Sequence, residues 1–106
     1  MDTFVQIVKE EVRKYAANGR GAGLRLFALL DDERRTYAVN AADHPVRKDV
    51  VGVMVMARIV GDVVVIEEDT TDKPLIDALL QRGIARDRIV LAYVGEPIPD
   101  AAAFAL

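Results

Sequence analysis

The chain has 106 residues, with 17 acidic against 14 basic side chains, a formal charge of −3 and 52% hydrophobic content, which supplies one packed core and leaves too little polar bias for disorder. One domain spanning residues 1–106 is the expectation. No Cys, Trp or Ser and a single His are present, which excludes a disulfide framework, thiolate metal sites and any Ser or Cys nucleophile.

Phe4, Ile7, Val8, Val12 and Tyr15 recur at three- and four-residue steps opposite Gln6, Lys9, Glu10, Arg13 and Lys14, so an amphipathic helix is predicted over residues 3–17. Asp2 or Thr3 serves as its cap and Asn18-Gly19 as its stop. From Leu24 the period falls to two, with Leu24, Leu26, Ala28 and Leu30 on one side. The alternation resumes from Arg35 to Ala41 beyond the polar turn Asp31-Asp32-Glu33-Arg34. Val50 to Ala57 is apolar on both faces, as in a central strand, and Gly61-Asp62 marks a tight hairpin into Val63–Ile66. Asp72 or a preceding threonine then caps a second helix, with Pro74 in its first turn, Leu75, Ile76, Leu79 and Leu80 buried, and Gly83 as its stop. Ile89 to Tyr93 reads as a last short strand, and Pro97 and Pro99 favour an extended tail onto which Phe104 and Leu106 fold back. The fold class is therefore α+β: an N-terminal helix, a four-stranded mainly antiparallel sheet, a second helix and a short final strand.

Few residues remain for chemistry. Glu67, Asp69 and Asp72 are dense enough to suggest a magnesium or manganese site, with His44 as a proton carrier. Strand ends and helix caps gather the same residue types for structural reasons, and no lysine follows in the spacing a nuclease centre needs. His44 lies beside Asp43, which can orient an imidazole, but without a second His or Cys it completes no zinc site of the usual kind. Gly19-Arg20-Gly21-Ala22-Gly23 follows a helix and precedes a strand, the reverse of the order that brings a helix N-terminus to a phosphate. Met54 and Met56, two apart, are expected to share one strand face and to be core. No catalytic, cofactor-binding or metal-binding residue is assigned.

The acidic balance argues against strong direct binding of nucleic acid. Charges at Asp2, Lys9, Glu10 and Glu11 do not fit a signal peptide, and the apolar stretch from Val50 to Ile66 is broken by Arg58 and Gly61-Asp62. A cytoplasmic protein without a membrane span is expected. Partner contacts are expected on loops carried by a rigid sheet, namely at Asp43, His44, Arg47 and Lys48, and in the tail at Glu96 and Phe104. Exposed strand edges call for a cover, a partner or a second copy of the chain, so a homo-oligomer is a further expectation.

From Gly61 to Tyr93 the chain carries a hairpin turn, a strand ending in Asp69-Thr70-Thr71, a helix with Leu79, the stop Gly83-Ile84, then Asp87, Ile89-Val90-Leu91 and Tyr93. In this it resembles the XisI family of element excision controlling factors. Met1-Asp2-Thr3, Tyr15, Tyr37, Gly52 and Phe104-Ala105-Leu106 also stand at family-like positions, so the resemblance spans nearly the whole chain. Departures are Asp43-His44 in place of a Gly-Trp pair, Val51 in place of a histidine, and Val55-Met56-Ala57-Arg58 in place of an Ile-His-Ile-Asp-like stretch. A further family histidine near Val94 is also missing. The resemblance implies a non-enzymatic accessory protein needed beside a site-specific recombinase for excising a DNA element from a nitrogen-fixation gene in heterocyst-forming cyanobacteria. It also implies a partner, either a XisH-like companion of nuclease-type fold or the recombinase.

Overall fold

The computed structural model describes residues 3–17 and 23–99. The expected cap at Asp2, the stop at Asn18-Gly19, most of the Gly19–Gly23 segment, and Phe104 and Leu106 lie outside the described residues. Helix α1 (Thr3–Ala17) has the predicted bounds and buries Phe4, Val5, Val8 and Val12, with Glu11 inside the same stripe. Strands β1 (Leu24–Asp31), β2 (Thr36–Asp43), β3 (Gly52–Val60) and β4 (Val63–Asp69) come next, then α2 (Leu75–Gln81) and β5 (Ile89–Leu91).

The sheet runs β1-β2-β3-β4-β5. Its first four strands are antiparallel neighbours, and β5 lies parallel to β4. Parallel neighbours need a crossover, which α2 provides; the short final strand therefore joins the sheet as a fifth member. It ends at Leu91 instead of Tyr93 because Glu96 returns to it. The Glu96 carboxylate accepts the Leu91 N–H at 2.9 Å, and Ala92–Val94 coils into a 3-10 turn closed by Gly95 at φ +97°. Gly61 at φ +62° opens the β3–β4 turn, the conformation a two-residue hairpin requires at its first position.

Both helices pack on one face of the sheet. There Val8, Val12, Leu75 and Leu79 meet Tyr37, Val39, Val55, Ala57, Val64 and Ile66 in one cluster. The opposite face leaves Phe27, Leu29 and Val53 exposed at 40%, 54% and 41%.

Two register shifts change what simple alternation predicts. One falls between Val39 and Asn40 against β3, where Val39 pairs Val55 but Asn40 pairs Val53. The extra residue, Met54, turns to the helix side beside Leu26 and Tyr15, whereas Met56 lies on the open face beside Ala38 and Asn40. The two methionines therefore do not share a face, since a one-residue bulge inverts the parity of the residues beyond it. β3 also starts at Gly52, leaving Val50 91% exposed, because Asp43 holds the preceding loop. Leu80 is 41% exposed and stands outside the buried stripe of α2.

Candidate functional site

The predicted acidic set is dispersed. The second register shift, at Met56/Ala57, leaves Glu67 unpaired in the ladder. Glu67 turns to the open face and binds Arg58 at 2.7 Å. Asp69 opposes Val55 on the helix side and is consumed by the start of α2. Its carboxylate accepts the Thr71 N–H at 2.9 Å, the Thr71 hydroxyl at 2.6 Å and the Leu75 N–H at 2.7 Å. Pro74 stands at the N-cap position of α2 and not in its first turn, and the first helical amide is capped by the Asp69 carboxylate from the preceding strand, not by Asp72 or a threonine. Asp72 borders an open groove instead. Among the described residues no three His, Asp or Glu side chains converge on a point that would hold a metal ion.

The predicted partner loop is built around Asp43. Sitting at the end of β2, it accepts the Lys48 and Asp49 amides at 2.9 and 2.8 Å, and these hydrogen bonds hold its carboxyl below the usual range. His44 donates its backbone N–H to the Gly23 carbonyl at 2.9 Å, fixing the loop's first residue against β1. His44, Arg47, Lys48 and Val50 are all exposed. A short acid thus orders a loop whose apolar and basic side chains face outward. Glu96 does a separate task, bridging the Leu91 amide and Arg86, the latter at 2.6 Å. Its pKa is lowered by these same two contacts.

A concavity lies between α1, α2 and the starts of β1 and β3. This groove of about 770 Å³ is lined by Glu11, Lys14, Tyr15, Leu26, Met54, Asp72 and Asp77, among others. Glu11 is only 6% exposed and accepts Lys14 at 2.8 Å and Arg82 at 2.6 Å. Burial pushes its carboxyl up, but the two cationic donors outweigh that effect and hold it below the usual range. Arg82 reaches on to Glu10 at 3.0 Å, clamping the end of α2 to α1. Tyr15 donates its hydroxyl to the Lys73 carbonyl; burial, with the nearby negative charges of Asp69, Glu11 and Asp77, pushes its pKa to about 12. Glu11 and Tyr15 on this wall are therefore tied to holding α1 against the two ends of α2. Residue-type periodicity did not single out Glu11 and Arg82, although an acid inside the apolar stripe Phe4–Val8–Glu11–Tyr15 is a readable signal of a buried pair.

A second groove, of about 650 Å³, runs over the open face between Leu29, Arg34, Ala38, Asn40, Val53 and Met56. In it Asn40, opposite Phe27 and Val53, has a buried Oδ1 with no hydrogen-bond partner among the described residues.

This α+β architecture, a five-stranded sheet with both helices on one side, is that of solved XisI proteins. The profile of the XisI family, described as XisI protein, matches residues 1–106, and the chain belongs to the XisI family. The crystal structure of the fdxN element excision controlling factor XisI from Anabaena variabilis superposes with a TM-score of 0.70 at 23% identity, over 85% of this chain and 88% of that one. A XisI-like protein from the same organism superposes with a TM-score of 0.73 at 20% identity, over 83% and 82% of the two chains. Curated protein sequences give no match. Among the described residues no helix is long and apolar enough to cross a membrane.

Proposed function

We propose that this protein is a non-enzymatic regulatory factor of DNA element excision that works by binding another protein. The family match over the whole chain carries the proposal, and the name of the Anabaena variabilis structure, an element excision controlling factor, supplies the process. The use of ionisable side chains supports it. Asp43, Asp69 and Glu96 are engaged in ordering loops and strand ends and Glu67 in an ion pair with Arg58, whereas general acid–base work needs such groups free to reach a substrate.

The partner surface in this reading is the ordered loop after β2. His44, Arg47 and Lys48 project from it, and preorganisation by Asp43 lowers the entropy cost of docking. Its basic pair suits an acidic patch on a protein partner, either a nuclease-fold companion of XisH type or a recombinase. Glu96 and Phe104, in the tail, are further candidate partner contacts in this reading. The work is assigned to the cytoplasm in this reading.

The test is affinity capture of the tagged protein from its own cells, followed by binding measurements with the recovered partner and by an excision assay. Arg47→Glu with Lys48→Glu is expected to weaken partner binding at least roughly tenfold, as charge reversal at a complementary rim does. Unchanged affinity removes the loop from the interface. Loss of the protein without effect on excision removes the function.

A further inference from the structure

β1 is an edge strand of eight residues with one charge, Arg25, in its interior and no Pro or Lys, so it lacks the devices that usually blunt an exposed edge. The direction of its free backbone groups is set by one hydrogen bond. The His44 N–H reaches the Gly23 carbonyl at 2.9 Å, and Gly23 stands one position before the Leu24↔Asp43 pair in the register. Odd-numbered residues of β1 therefore point their N–H and C=O groups at β2, and Leu24, Leu26, Ala28 and Leu30 point theirs at the free edge. Among the described residues no other strand pairs with that edge.

We propose that this edge binds a second copy of the chain, β1 to β1 in antiparallel fashion, about a twofold axis at Ala28. Edge-pointing residues must meet edge-pointing residues, which allows only registers that match even positions with even ones and so preserve the faces. Centring on Ala28 sets Arg25 of each copy opposite Asp31 of the other, Phe27 opposite Leu29, and Leu26 opposite Leu30. Apolar character is thus self-complementary along the strand, and Arg25 meets the Asp31 carboxylate beside its exposed pairing with Arg34 at 3.1 Å, as an isologous interface demands. Centring on Phe27 instead leaves Arg25 facing Leu29, and centring on Leu29 sets Phe27 against Asp31. Arg25 has no carboxylate partner among the described residues and lies over the Phe27 ring, 5.3 Å from its centroid. Phe27 and Leu29 are among the exposed large apolar side chains. The pairing would join two five-stranded sheets into one and merge their open-face apolar patches. This inference does not depend on the regulatory reading.

Sedimentation velocity of the full chain over about 5–200 µM tests it. The expected species is a dimer of 11.6 kDa chains. Ala28→Pro removes an edge-facing N–H and leaves the β1–β2 ladder intact, so it is expected to give a folded monomer, checked by circular dichroism. Arg25→Glu is expected to weaken dimerisation roughly tenfold by opposing Asp31 with a like charge, and Arg25→Glu with Asp31→Arg to restore it. A wild-type monomer throughout the range, or a dimer untouched by Ala28→Pro, overturns the proposal. Failure of the charge swap to restore a dimer lost in Arg25→Glu overturns the register.

Discussion

Replacing Asp69 by Ala is expected to cost about 1–3 kcal/mol of folding stability, because it leaves the buried Leu75 amide without its acceptor. The reason lies in the junction between β4 and α2. Pro74 precedes α2 and offers no N–H, so the first helical amide is that of Leu75, which is fully buried and bonds to Asp69 at 2.7 Å. A helix of seven residues has little stability of its own; its position depends on this anchor and on Leu75 and Leu79 in the core. Asp69→Asn keeps one oxygen but cannot accept from both Leu75 and Thr71, and is expected to lose about 1 kcal/mol. Asp72→Ala, at the residue that sequence pattern favours as the cap, is expected to stay within about 0.5 kcal/mol of the parent. Urea titration at neutral pH reads all three, with unchanged m-values showing that stability alone has moved. By thermal melting the Ala variant is expected to fall by roughly 5–20 °C. An Asp69→Ala loss below about 0.5 kcal/mol, or a larger loss at Asp72, would refute the assignment of the cap.

Glu11, held below the usual carboxylate range, contributes stability above the carboxylate's unfolded value of 4.5, and that contribution is lost as pH falls through the lower folded value. Arg82→Met leaves Lys14 as the remaining cationic donor to Glu11, so the lowering is smaller; the variant is expected to be less stable than the parent at pH 7, with the gap closing as pH falls below 4.5 in parallel denaturant titrations. Burial pushes Tyr37 to about 12, with further upward pressure from Asp32, and Tyr15 reaches about 12 as well. Raised acids of this kind stabilise fully below the unfolded value of 10.0 and lose that contribution as pH rises towards 12, so stability is expected to fall across that window. Tyr37→Phe should flatten the fall, and an identical alkaline profile would contradict the assignment. Leu79→Ala is expected to cost about 2–5 kcal/mol and Leu80→Ala less than about 1 kcal/mol, measured by the same titration; equal losses would contradict the packing of α2.

Local pattern was enough to define α1, the β1–β2 and β3–β4 hairpins and the existence of α2. A helix buries a stripe of period 3.6 and a half-buried strand alternates with period two, and both repeats are carried by residues close together in the chain. The Gly61-Asp62 turn was equally readable, because the backbone conformation itself selects glycine there. The candidate site was less legible. Asp43 and Asp69 are acids next to loops in the sequence, and only the structure shows that one orders the 44–49 loop while the other caps a helix six residues away.

Tertiary structure alone decided which way Met54 and Glu67 face, because a bulge shifts the register by one residue and reverses every side chain beyond it without altering local composition. It also decided that β5 pairs parallel to β4, that Arg82 reaches Glu11 across 71 positions, and that β1 is left at an edge. Each of these is a contact between residues far apart in the chain. Its free energy comes from burial and hydrogen bonding that exist only once the sheet and its two helices have come together.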